Sequence, residues 1–291
     1  MTVQGGKVDG SEARELKRIC REVRYLTMDA IGRVGVGHVG GSLSVVEVLV
    51  VLYYRHMRID PRNPRMEGRD RFVLSKGHAG PALYSVLACK GYFDKSLLET
   101  LNQLDTRLPS HCDMNLTPGV DMTAGSLGQG ISCAVGIALG ARIKKDGARI
   151  YCVIGDGESQ EGQVWEAAMY AAHMKLDNLI AFTDYNGQQL DAPIDEINSL
   201  EPLVDKWRAF GWNVIDVPDG HDVEAIDAAI VRTQSCQGKP SMIILHTVKG
   251  QGVSFAVAAG ATLTTSNHNM PVSPEQWRQA LEELKERADH V

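Results

Sequence analysis

Three oxygens in one short stretch carry the strongest chemical signal in this sequence. Asp156 offers a carboxylate, Asn186 an amide oxygen and Gln188 a main-chain carbonyl. One charged and two neutral oxygens suit a hard cation and leave octahedral positions for phosphate oxygens and water, which favours Mg2+ held together with a diphosphate. Gly157 follows the carboxylate directly and leaves its N–H open to such an anion. A lone Gly155-Asp156-Gly157 is usually a plain turn; Asn186-Gly187 one crossover later makes the pair specific. Further candidates are cations and imidazoles. Lys76 and His78 lie in Lys76-Gly77-His78-Ala79-Gly80, and Lys249 stands in Lys249-Gly250-Gln251-Gly252. His38 sits among glycines, while His111 and His268 fall in stretches without a regular period.

These groups need elements to position them. Ala148 to Ile154 is an apolar run suited to a buried strand, Glu161 to Leu176 is rich in helix formers, and Asn178 to Thr183 returns to a strand pattern. Such a βαβ unit makes its two strands parallel, so Asp156 and Asn186 emerge at the same end of one sheet. Arg71 to Ser75 reads as a strand leading into a helix with Pro81 at its first position. Lys76 and His78 then stand where free N–H groups and the helix dipole favour an anion, although an ordinary strand-to-helix turn with a surface lysine explains them as well. The spacing of Leu16, Ile19, Val23, Leu26 and Ala30 predicts a helix from an N-cap at Ser11 to about Gly32. Ser44-Val45-Val46-Glu47 reads as a capping box for a helix to about His56.

Gly125-Ser126-Leu127-Gly128-Gln129-Gly130 leads into a helix over 131–145; its glycines let backbone approach a flat ligand on which Leu127 could pack, or it is simply a flexible loop. Leu190 lies in the loop after Asn186, where it can touch the same ligand. Ala167, Ala168, Ala171 and Ala172 allow close helix approach, to another subunit or to the chain's own sheet. Asn213 to Val217 and Ser241 to Val248 are strands, Asp222 caps a helix, and His221 is structural. Residues 253–274 lack a clear period and predict an irregular lobe before a terminal helix over 274–288, and residues 1–10 a loose arm. The fold class is α/β, a parallel sheet with helices on both faces. The 291 residues are expected to form a single domain, since no linker-like stretch divides them.

Composition narrows the function. A formal net charge of −6 argues against nucleic acid as a partner. The run Val45 to Tyr54 is too short to span a bilayer and the amino terminus lacks a signal-peptide core, so no membrane role is expected. Six scattered cysteines without a Cys-x-x-Cys pair fit reduced thiols in a cytoplasmic protein, not a disulfide framework or metal site.

Five stretches match one family in content and order: Gly37 to Leu43, Asp70 to Ala79, Gly125 to Gly130, Gly155 to Gly162 with Lys175 to Leu179, and Thr247 to Gly252. Through them the chain resembles the amino-terminal, diphosphate-binding domain of transketolases along nearly its whole length. The resemblance implies a thiamine diphosphate-binding fold in which Asp156, Asn186 and Gln188 hold Mg2+, with Ca2+ or Mn2+ as substitutes. It places His78, Gly157, Lys76 and Lys249 near the diphosphate and Gly125, Leu127 and Leu190 around the ring. Glu161 joins the cofactor-binding set as the counterpart of an interface acid that couples paired sites. His38, His78, His111 and His268 correspond to histidines that bind substrate oxygens and assist proton movement.

The chemistry so implied is transfer of a two-carbon ketol unit from a ketose, often phosphorylated, to an aldose, with the carbanion chemistry supplied by thiamine. Two departures stand out: Val39 occupies the place of a usual proline, and Asn267-His268-Asn269-Met270 replaces an expected His-Gly pair. The family's pyrimidine-binding domain would lie beyond Val291, so a separate C-terminal subunit is expected, in a heterotetramer of two chains of each kind. The competing readings are the α subunit of another thiamine-dependent enzyme, either a 2-oxoacid dehydrogenase or a transferase loading a carrier protein, and a non-catalytic cofactor-binding module.

Overall fold

The computed structural model describes residues 8–190, 192–260 and 266–286. Five parallel strands form the main sheet, in the spatial order Arg71–Leu74, Ile150–Gly155, Leu179–Tyr185, Ser241–His246 and Asn213–Val217. The strands are apolar on both faces, as a covered parallel sheet requires. Alternate residues feed two cores: Phe72, Tyr151, Val153, Ile180, Phe182 and Ile243 enter one, and Val73, Ile150, Cys152, Ile154, Ala181 and Met242 the other. The first core is closed by helices Gly10–Val34, Gly80–Lys90 and Val223–Thr233, the second by Gln129–Lys144 and Gly162–His173. The α/β architecture read from the sequence is therefore present.

Several local expectations need correction. Asp9, not Ser11, caps the first helix: its carboxylate accepts from Ser11 N at 2.8 Å and Glu12 N at 2.9 Å. The helix runs on to Val34, where Gly35 takes a left-handed φ of 80°. Ser44 and Glu47 form no capping box. The helix starts at Val46; Ser44 Oγ donates to Asp184 Oδ2 at 2.7 Å, and Glu47 is buried against Arg24 at 2.7 Å and His221 Nδ1 at 3.0 Å. Both side chains serve distant partners, so the local sequence pattern was a coincidence of residue types.

Part of the expected irregular lobe is regular. Ser254–Gly260 is helical and Met270–Pro271 pairs antiparallel with Val36–Gly37, while residues 261–265 lie outside the described residues. Most of the expected amino-terminal arm, residues 1–7, also lies outside them, and Gly10 already belongs to the first helix. Residues 287 and 288 of the expected terminal helix lie outside them too. Asp222 caps its helix as expected, accepting from Glu224 N at 2.9 Å. All six cysteines are free, and among the described residues no helix is long and apolar enough to cross a membrane.

Candidate active site

The parallel pairing of Ile150–Gly155 with Leu179–Tyr185 sets Gly155 beside Asp184, so the loops carrying Asp156 and Asn186 leave the sheet side by side. Asp156 is almost fully buried. Its Oδ1 accepts from Gly157 N at 2.8 Å and its Oδ2 from Gly187 N at 2.7 Å. Burial, then the neighbouring Asp184 carboxylate, pushes Asp156 up to about 6. A carboxylate held dry against its preference is one that a cation stabilises.

Asn186 donates from Nδ2 to Asp184 Oδ2 at 3.0 Å, which turns Oδ1 the other way; Oδ1 accepts from Gln188 N at 3.2 Å and keeps a second lone pair for a cation. The Gln188 carbonyl faces Lys249 Nζ at 3.4 Å. Among the described residues no three His, Cys, Asp or Glu side chains gather in a metal-holding geometry. A cation here would therefore draw on one carboxylate, one amide and one carbonyl, a hard-oxygen set that fits Mg2+ or Ca2+ better than a soft metal.

A cleft runs past these groups, lined among others by Lys76, His78, Leu127, Gly157, Leu190 and His268. The four histidines converge. His38 lies 5.3 Å from His78, 5.2 Å from His111 and 5.2 Å from His268 between ring centroids, and His78 lies 4.8 Å from His268. Residues far apart in sequence thus form one imidazole cluster. Burial and then His111 hold His38 down to about 4; burial and then Lys249 hold His268 down to about 3. His78 is lowered well below its usual value by burial and then Lys76, and His111 is lowered by burial. All four are neutral near pH 7 and can both donate and accept hydrogen bonds.

Glycines make room for this packing. A Cβ on Gly41 would stand 3.0 Å from His78 Nε2, and one on Gly40 would stand 2.7 Å from Asn267 O. Gly125 faces His111, with its Cβ position 3.8 Å from the ring. Leu127 and Leu190 are partly exposed at the cleft, Leu190 by 56%. Glu161 is exposed at the start of the Gly162–His173 helix, beside Gly128, and does not line the cleft.

The sequence reading missed the hub of the site. Asp184 is 1% exposed and accepts from Ser44 Oγ, Lys76 Nζ, Asn186 Nδ2 and Thr247 Oγ1, donors on four separate segments. Lys76 is not the surface lysine of an ordinary turn: it is 2% exposed, lines the cleft and is ion-paired to Asp184. Glu158 is a second missed strut: its carboxylate accepts from Ser75 Oγ, Gly128 N and Gly155 N and so ties three loops together. The available signal was a carboxylate inside, or directly after, an apolar strand, where only internal partners make burial tolerable.

Residues 16–280 match the family model described as transketolase, thiamine diphosphate binding domain. The chain is 56% identical over 271 residues to the 6-deoxy-6-sulfo-D-fructose transketolase subunit SqwG of Clostridium sp. (strain MSTE9), covering 93% of this chain and 96% of that protein. It is 36% identical to the transketolase of Homo sapiens, covering 96% of this chain and 43% of the human protein. Among solved structures, a Campylobacter jejuni transketolase superposes with a TM-score of 0.84 at 32% identity, covering 95% of this chain and 43% of that one. A Pichia stipitis transketolase mutant, R525L, gives the same TM-score of 0.84 at 32% identity, with 92% and 40% covered. The chain thus spans about two fifths of the length of these solved structures.

Proposed function

The chain belongs to the transketolase family through its thiamine diphosphate-binding domain, and from that premise we propose that it is the amino-terminal subunit of a split transketolase. In this reading it moves a two-carbon ketol unit from a ketose to an aldose once a separate C-terminal subunit adds the pyrimidine-binding domain. The observation that carries the proposal is the convergence of four neutral imidazoles at 4.8–5.3 Å, two of which, His78 and His268, line the cleft that also holds Asp156, Asn186 and Gln188. A ketol donor presents a carbonyl and several hydroxyls. Neutral imidazoles match such a surface, because each offers one donor and one acceptor, and they can pass the protons that both half-reactions require.

When bound, thiamine diphosphate supplies the carbanion chemistry for cleaving the bond beside the ketose carbonyl. Asp156, Asn186 and the Gln188 carbonyl hold Mg2+, for which Ca2+ or Mn2+ can stand in. His78 approaches the diphosphate, and so does Gly157, whose N–H is not open as the sequence suggested but donates to Asp156 Oδ1 at 2.8 Å and must exchange that acceptor for the anion; Lys76 and Lys249 supply positive potential behind it. Gly125, Leu127 and Leu190 line the ring, and Glu161, exposed on the helix beside the cleft, meets a neighbouring subunit and couples paired sites. His38, His78, His111 and His268 hold the donor's oxygens.

The single five-stranded sheet with a core on each face supports reading the chain as one domain. Likeness to a relative named as a subunit supports a partner chain, in an assembly proposed as a heterotetramer of two chains of each kind. The same relative's name points to a donor with a terminal sulfonate. Free thiols and net negative charge support a cytoplasmic enzyme without nucleic-acid or membrane partners. The test is to purify the chain with its partner and assay ketol transfer to an aldose phosphate from 6-deoxy-6-sulfofructose and from fructose 6-phosphate. Turnover that needs both chains, Mg2+ and thiamine diphosphate supports the assignment. A complex that binds the cofactor but turns over neither donor sinks it.

A further inference from the structure

Asn267 and His268 open the stretch where the sequence departs from the family pattern, and with Ser266 before them they brace the cleft from three sides. The buried Asn267 donates from Nδ2 to Ala256 O at 2.8 Å and Lys249 O at 3.3 Å, and its own carbonyl accepts from Gly40 N at 2.8 Å. Asn267 thereby locks the Lys249 loop to the His38 loop. Its neighbour reaches the opposite wall. The Ser266 hydroxyl donates to Leu190 O at 2.8 Å and accepts from His268 N at 3.2 Å.

Leu190 is the telling partner. Its φ of 45° is left-handed, a conformation that L-residues rarely adopt and that persists only when surrounding contacts impose it. Its side chain is more than half exposed, so core packing does not impose it. Ser266 pins its carbonyl instead. The same hydroxyl anchors the amide of His268, whose ring lies 4.8 Å from His78 and 5.2 Å from His38.

We propose that Ser266 is a positioning residue that couples the ring-side wall at Leu190 to the donor-side imidazole of His268. One hydroxyl with both its donor and its acceptor engaged cannot release one side without loosening the other. Occupancy beside Leu190 therefore orders His268, and occupancy of the histidine cluster orders Leu190. The assignment of the two sides to cofactor and donor rests on the proposed function; the coupling between the two segments does not.

The experiment compares wild type, Ser266→Ala and Ser266→Thr, in the full chain alone and with its partner subunit. In the chain alone, hydrogen exchange is read over 186–190 and over 266–270. Ser266→Ala is expected to speed exchange about tenfold in both segments, and Ser266→Thr, which keeps the hydroxyl, in neither. A response confined to one segment, or none, overturns the coupling. With the partner, Ser266→Ala is expected to raise both the thiamine diphosphate Kd and the donor KM about three- to tenfold with kcat within twofold, and Ser266→Thr to restore both. A fall in kcat alone overturns it. A wild type that binds no thiamine diphosphate strikes the cofactor assignment, and the exchange result in the chain alone still decides the coupling.

Discussion

Asn186 Nδ2 donates to Asp184 Oδ2 at 3.0 Å, and that bond decides which end of the Asn186 amide is left for a cation. Asp184 does this while receiving Lys76, Ser44 and Thr247, so its position is fixed from several directions. Asp184→Asn keeps the shape but removes one acceptor oxygen. The expected result is a rise of about 10- to 100-fold in the Mg2+ concentration needed for thiamine diphosphate binding, as for other residues that orient metal ligands. Calorimetric titration of cofactor at several Mg2+ levels checks this; an unchanged Mg2+ requirement would remove Asp184 from the orienting role.

Asp156 contributes the one carboxylate among the three proposed ligands. Asp156→Asn, or chelation of divalent ions by EDTA, should therefore abolish cofactor binding while leaving the fold intact. Circular dichroism and cofactor titration on the same samples read both. Cofactor affinity that survives EDTA would reject the metal assignment.

Truncating single imidazoles separates substrate contacts from cofactor contacts. His38→Ala and His268→Ala should raise the donor KM at least tenfold, and the thiamine diphosphate Kd should move less than threefold. Equal losses in both would mean that the cluster serves the cofactor instead of the sugar.

The histidine cluster also ties stability to pH. His38 is lowered to about 4 and His268 to about 3 by burial and neighbouring positive groups, so the unfolded chain binds these protons more readily than the folded one. Their penalty is absent above the unfolded value of about 6.5 and grows as pH falls toward 4. Urea midpoints of the chain alone should drop as pH is lowered from 6.5, and less steeply in His38→Gln. In NMR titrations neither ring should change protonation between pH 6 and 8; a midpoint near 6.5 for either would show that the cluster is open to solvent.

Glu47 is buried between Arg24 at 2.7 Å and His221 at 3.0 Å, and His221 Nε2 in turn accepts from Val248 N at 2.8 Å. Glu47→Ala leaves a buried guanidinium unpaired and should cost about 3–5 kcal/mol, whereas Arg24→Met with Glu47→Leu should recover most of that loss. Denaturant unfolding of both variants measures the difference. A single substitution costing under about 1 kcal/mol would contradict the burial of the pair.

Much of this molecule was legible from its sequence because its signals are local. Strand 213–217 and the helix capped by Asp222 fell where period and cap placed them, and Asp156 and Asn186 could be set at one end of a sheet because a helical crossover makes its two strands parallel. Misreadings came from side chains whose partners are remote. Ser44 and Glu47 looked like a capping box because both residue types cap helices, yet their partners lie 140 residues away at Asp184 and 23 residues away at Arg24.

The sequence by itself determined the strands, the loop glycines and the residue types that can hold a cation, a diphosphate and a sugar, since these follow from backbone sterics and ligand chemistry. Only the tertiary structure decided which of them meet. It gathered His38, His78, His111 and His268 around one point, turned Lys76 inward onto Asp184, and put Ser266 between Leu190 and His268. The physical reason is burial. A charged or polar group taken out of water must find a partner, and which partner stands within 3 Å is fixed by how the loops at the ends of the sheet pack, not by any pattern along the chain.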